Sequence, residues 1–114
     1  MVESNLDKGS RGEELAADYL VKRGFRILHR NLRLCRYEID LICEEGDCLV
    51  FVEVKYSGTD KFGHPATWIN KRKQERMRQA ARLYCDEYEI RDIDIRFDAV
   101  TINKGEIEYY KNAF

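Results

Sequence analysis

The chain has 114 residues, 44% of them hydrophobic and 11% aromatic, which is enough apolar material for one compact core and too little chain for two. Charged residues make up 36%, but 20 basic side chains stand against 21 acidic ones, so the balance excludes neither nucleic acid nor protein as a partner and does not imply disorder. No window approaches the roughly 20 apolar residues of a membrane span, and residues 1–7 lack the basic-then-apolar pattern of a secretory signal. The expectation is therefore a single cytoplasmic domain over 1–114, with its core at about 10–110 and no membrane partner. Cys35, Cys43, Cys48 and Cys85 contain no Cys-x-x-Cys pair, so buried free thiols fit better than a zinc site or a disulfide framework.

In chain order, Ser10-Arg11-Gly12-Glu13 has the form of a capping box, and Leu15, Ala16, Tyr19 and Leu20 follow at helical spacing until Gly24, which predicts a helix over 11–23. Residues 25–29 make a short strand, an Arg-rich turn follows, and alternation resumes from Tyr37 to Cys43. Glu44-Glu45-Gly46-Asp47 reads as a hairpin turn. Cys48 to Lys55, rich in β-branched and aromatic residues, is the clearest strand. Residues 56–68, with Gly58, Gly63 and Pro65, read as a loop, and a second helix runs from about Asn70 to Glu87. Residues 93–102 alternate as a strand, Asn103-Lys104-Gly105 turns, and 107–110 closes the order. This predicts an α/β mixed sheet flanked by helices, with 37–43 and 48–55 as its middle strands.

Alternation puts Glu53 and Lys55 on one face of their strand, opposite an apolar stripe of Cys48, Val50, Val52 and Val54. The preceding strand divides into Tyr37, Ile39, Leu41 and Cys43 on one face and Glu38, Asp40 and Ile42 on the other. A loop of two residues (Glu45-Gly46) or four (Glu44 to Asp47) pairs 43 with 48, 40 with 51 and 38 with 53. Asp40 then becomes a diagonal neighbour of Glu53, at roughly 7 to 8 Å. Carboxylates inside such apolar strands cost several kcal/mol unless they are paired or hold a metal. Two of them sharing one site suit Mg²⁺ or Mn²⁺, which activates water beside a phosphate. The plainer reading is a solvated strand face carrying an ion pair.

An acid followed by Glu-x-Lys on the adjoining strand resembles the core motif of the PD-(D/E)xK nuclease superfamily, which includes restriction enzymes and Holliday-junction resolvases. More closely, the chain resembles the YraN-type bacterial proteins. The similarity lies in Gly12-Glu13 with Ala16 and Tyr19-Leu20, Arg30-Asn31-Leu32-Arg33, Glu38-Ile39-Asp40-Leu41-Ile42, Phe51-Val52-Glu53-Val54-Lys55, Lys73 and Arg96-Phe97-Asp98, and it spans about 10–102. Tyr37 departs from the usual glycine and Ser57 from a common basic residue. The resemblance implies a restriction-endonuclease-like fold, with Asp40 and Glu53 as metal ligands, Lys55 as the catalytic lysine and Glu13 as a further first-helix carboxylate. It also implies Mg²⁺ or Mn²⁺ as cofactor and suggests a homodimer, since resolvase-like folds often dimerise. As part of a capping box, Glu13 has a structural explanation as well.

Lys71, Arg72, Lys73, Arg76, Arg78 and Arg82 concentrate basic charge on the second helix. Lys22, Arg23, Arg26, Arg30, Arg33 and Arg36 flank the first strands, while acids gather between Asp86 and Asp98. Such segregation lets a neutral chain bind DNA, although Met77, Ala80, Ala81 and Tyr84 would serve equally as the buried stripe of an ordinary amphipathic helix. His64 reads as a surface residue, Trp68 as a core plug, and Asp98 as a carboxylate bonding Arg96 or local backbone. The leading expectation is a metal-dependent endonuclease hydrolysing DNA phosphodiester bonds, in branched or flapped structures by fold analogy. The alternatives are a non-catalytic nucleic-acid-binding module with the same fold, and a structural partner in a protein complex.

Overall fold

The computed structural model describes residues 5–57 and 63–114, with side chains from residue 12 onward in the first helix. Its elements are α1 (Asn5–Lys22), β1 (Arg26–Leu34), β2 (Tyr37–Glu45), β3 (Cys48–Ser57), a 3-10 turn (Pro65–Thr67), α2 (Lys71–Glu87), β4 (Asp94–Asn103) and β5 (Glu106–Tyr110). The strands form one mixed sheet in the order β1-β2-β3-β4-β5. All pairs are antiparallel except β3 with β4, which run parallel over their whole lengths. A parallel pair needs a long crossover, and α2 is that crossover.

The two helices cover opposite faces. Ala16, Ala17 and Leu20 of α1 pack with Leu41, Cys43, Val50, Val52, Val100 and Ile102. On the other side Ala80, Ala81 and Tyr84 of α2 pack with Ile39, Ile42, Leu49 and Phe51. With a helix on each face, β3 is apolar on both sides except near its C-terminal end, where Glu53 and Lys55 emerge.

Several expectations need correction. α1 begins at Asn5, so Ser10 lies inside the helix and Ser10–Glu13 is no N-terminal capping box. β1 extends through the segment read as an Arg-rich turn, pairing Arg33 with Glu38 and Leu34 with Tyr37. The hairpin loop is Gly46-Asp47, which pairs Glu45 with Cys48 and Cys43 with Val50, so Cys43 and Cys48 do not face each other. The positive φ of Gly46 (59°) suits the first position of a two-residue turn, whereas the expected register put it second. The stripe expected from Tyr37 to Cys43 also breaks. Leu41 and Cys43 face α1, but Ile39 and Tyr37 pack on the α2 side. The change of face lies at Asp40 and is matched on β1, where Asn31 has φ 51°. Of the expected loop, residues 58–62 lie outside the described residues, as does the side chain of Ser57.

Candidate active-site cleft

Pairing between β2 and β3 ends at Leu41 and Val52, and the next residues across from each other are Asp40 and Glu53. Here the ladder gives way to a side chain: the Val54 N–H donates to Asp40 Oδ2 at 2.8 Å. The two carboxylates are thus direct rather than diagonal neighbours, closer than the sequence register made them. They sit in a cleft of about 700 Å³ between the splayed ends of β2 and β3 and the first turns of α2, whose Asn70, Arg72, Lys73 and Arg76 form the facing wall.

The opening turn of α2 is fixed by its cap, Asn70, whose side chain accepts the Lys73 N–H at 2.9 Å. That turn presents Lys73 to Glu53, Nζ to Oε1 at 2.7 Å. Burial is the main cause that pushes Asp40 up to about 7, with the Glu53 charge adding to it, while the Val54 N–H and Lys73 pull the other way. Two neighbouring carboxylates partly removed from water cannot both hold full charge. Lys73 compensates one, and a proton on Asp40 offsets the other.

Glu13 reaches the same centre from α1. Gly12 lets the helix approach β3 closely, since a Cβ there would lie 3.0 Å from Tyr56 Cδ2. The Glu13 carboxyl interacts with the side chains of Asn31 and Asp40, and burial raises its pKa above the ordinary value. Its Oε2 atom is buried with no hydrogen-bond partner. An unsatisfied buried acceptor beside a protonated acid marks a centre short of positive charge. Among the described residues, no group of three or more His, Cys, Asp and Glu is placed to hold a metal ion. Mg²⁺ is commonly held by one or two carboxylates and water, for which Asp40 and Glu53 are the right type and number.

Lys55 stands beyond the cleft, on the face it shares with Glu53, with Nζ 5.8 Å from the centre of the Trp68 ring. Lys73 lies over the same ring at 5.9 Å. Trp68, expected only as a core plug, packs beside Ile69 and Ala113 and gathers both lysines over one indole. A tryptophan just before the α2 cap was the available signal. Lys71 is exposed outside the cleft, and Arg78 turns away to stack on Phe114 at 5.2 Å, so the basic wall is narrower than the helix sequence implied. Of the second basic group, Arg26 pairs with Glu44 and Arg33 with Glu38. Arg36 lies 5.5 Å from the ring centre of Tyr37.

Asp98 has no part in the cleft. Fully buried in β4, it accepts two hydrogen bonds from Arg96 (2.9 Å each), one from Tyr109 Oη (2.5 Å) and one from the Asn112 N–H (3.0 Å), tying the C-terminal strands together. His64 is exposed; its Nδ1 accepts the Ala66 N–H at 3.1 Å and its ring packs edge-on against Tyr110 of β5, with centroids 5.2 Å apart. The thiols are free. Cys43 is buried and pushed up to about 12, chiefly by burial. No described helix is long and apolar enough to cross a membrane.

Comparison with known proteins agrees with the motif order. The chain is 38% identical over 111 residues to a UPF0102 protein of Thermodesulfovibrio yellowstonii, covering 97% of this chain and 98% of that one. It is 42% identical to a UPF0102 protein of Syntrophus aciditrophicus, covering 96% and 90%, and 45% identical to one of Chlorobium limicola, covering 82% and 73%. The family model described as "Uncharacterised protein family UPF0102" matches residues 12–102, the stretch that holds Glu13, the cleft and strands β1 to β3 with nearly all of β4, and the chain belongs to that family, the YraN-like proteins.

Proposed function

We propose that this chain is a metal-dependent endonuclease of the PD-(D/E)xK type, with a restriction-endonuclease-like fold, that hydrolyses DNA phosphodiester bonds. The observation that carries the reading is the juxtaposition of Asp40 and Glu53 at the floor of a cleft walled by Arg72, Lys73 and Arg76. Anionic ligands on one side and cationic groups on the other suit a substrate whose phosphate must be held while its charge rises.

Asp40 and Glu53 would hold Mg²⁺ or Mn²⁺ together with water, with Glu13 next to Asp40. The raised pKa of Asp40, the unsatisfied Glu13 Oε2 and the ion pair to Lys73 all describe a site that a cation would satisfy. The metal supplies an activated water and neutralises charge on the phosphate. The chain's own groups do the rest. Arg72 and Arg76 bind the backbone phosphates, and Lys73 would add its charge to theirs wherever its ion pair with Glu53 is open. Lys55 stabilises the charge developing on the phosphoryl oxygens and orients the attacking water. Trp68 fixes the directions of both lysines.

One observation favours a second reading, a DNA-binding module without catalysis. Glu53 is already neutralised by Lys73, and Lys55 stands outside the cleft. Incubation of labelled single-stranded, duplex, flap and four-way-junction DNA with Mg²⁺, Mn²⁺ or EDTA separates the two. Cleavage that requires the metal supports the nuclease. Binding of DNA without cleavage in either metal supports the module.

A further inference from the structure

The cleft has two chemically different ends. Lys73 meets Glu53 at one, and six residues further along α2 Gln79 accepts the Tyr37 hydroxyl at 2.5 Å at the other. At 1.5 Å per residue these ends are about 9 Å apart, the length scale of one nucleotide from phosphate to base. The charged end suits a phosphate. Toward the far end Tyr37 and Met77 are the half-exposed apolar side chains, backed by the buried Ile39, Phe51 and Ala80 and flanked by Glu38, an apolar surface that nothing in a sugar-phosphate backbone matches.

We infer that this far end is a pocket for an unstacked nucleobase, with Tyr37 as its stacking platform, so that the substrate carries an unpaired or extruded nucleotide beside the phosphate at the carboxylates. The inference rests on the nuclease reading and narrows its substrate class. The only broad apolar surface of a nucleic acid is the face of its bases, and in a continuous duplex those faces are hidden in the stack. A base reaches a pocket of this kind only from a single strand, a flap, a bulge or a flipped position. The Tyr37 ring is held before any ligand arrives, by Gln79 at its hydroxyl and by the Arg36 guanidinium over its face, so little ordering accompanies stacking. Arg76 lines the same cleft and offers a charge to the adjoining phosphate. Stacking on a ring tolerates any base, so the pocket is expected to recognise an unpaired nucleotide without sequence preference.

The test uses the full chain and three oligonucleotides of one sequence, with Ca²⁺ as a non-activating cation and fluorescence anisotropy as readout. They are a continuous duplex, the same duplex with one unpaired nucleotide, and that duplex with the unpaired nucleotide made abasic. The unpaired base should tighten binding about tenfold over the duplex, the gain expected from one base-aromatic stack. The abasic form should lose most of that gain. Tyr37→Ala should lose it too, while Tyr37→Phe, which keeps the ring, should retain it. Equal affinity for the bulged and abasic forms in wild type overturns the pocket without reference to any variant's folding. Cleavage in Mn²⁺ is scored separately: DNA cut with no preference for the base removes only the pocket, base-dependent binding with no cutting removes only the nuclease reading, and no binding removes both.

Discussion

Replacing Asp40 with Asn takes the titrating group out of the carboxylate pair but leaves a side-chain oxygen for the Val54 N–H. In the fold Asp40 is pushed up to about 7 from an ordinary 3.8. Between those values the folded chain keeps a proton that the unfolded chain releases. Wild-type stability without metal therefore falls as pH rises from about 4, and the loss is complete above about pH 7. Taken at full size, about three units at 1.36 kcal/mol each is about 4 kcal/mol. The cleft is open to water on one side, and with screening allowed for, about 2 kcal/mol is a better figure. For a domain of this size that corresponds to roughly 8 °C. Thermal unfolding by circular dichroism in EDTA should show Asp40→Asn melting with wild type near pH 4 and several degrees above it at pH 8. At pH 8 Mg²⁺ should raise the wild-type midpoint and leave Asp40→Asn unmoved. A variant that melts at or below wild type at pH 8, or a difference independent of pH, would refute the reasoning.

Other consequences concern neighbouring groups. Because Lys73 occupies Glu53, Lys73→Ala should bind Mn²⁺ several-fold more tightly by calorimetry yet bind DNA more weakly; unchanged metal affinity would mean that the ion pair does not compete with the cation. Arg72→Ala and Arg76→Ala should each lower the slope of log affinity against log salt by about 1 and weaken all DNA sequences alike. Asp98→Ala removes two of the bonds to the largely buried Arg96 guanidinium, leaving it Glu45 as an ion-pair partner, and frees the Tyr109 hydroxyl and the Asn112 N–H; it should cost about 3 kcal/mol in urea unfolding, without changing metal affinity.

The element order was legible from the residues, since period-two runs and a 3.6-residue stripe mark β2, β3, β4 and α2 directly. Local signals misled where they had two solutions. Ser10-x-x-Glu13 reads the same at a helix start as inside a helix, so the residues alone did not place Glu13 beside Asn31 and Asp40, and only the resemblance put it near the site. Glu44 to Asp47 allows several loops, and the left-handed Gly46 selects the one that sets Asp40 straight across from Glu53. Strict alternation also failed at Asp40, where the strand turns Ile39 and Tyr37 toward α2. That change of face opens the cleft, and it depends on Asn31 of a different strand, beyond the reach of any single-strand pattern. Asp40 and Glu53 still share a face because a shift of register by two keeps the faces unchanged, but the lysine beside them is Lys73 of α2 and not Lys55. The gathering of Lys55 and Lys73 over Trp68 joins the end of β3 to the start of α2 across a loop whose course no periodic pattern reveals.

The most direct test of the cleft's proposed chemistry is single-turnover cleavage of a labelled flap substrate in Mn²⁺ by wild type, Glu53→Gln and Lys55→Met, with folding checked by circular dichroism. Cutting by wild type, with a loss of at least a hundredfold in both variants while Lys55→Met still binds Mn²⁺ as wild type does, is the predicted result. Equal rates in all three proteins, or DNA bound and left intact by all three, would contradict it.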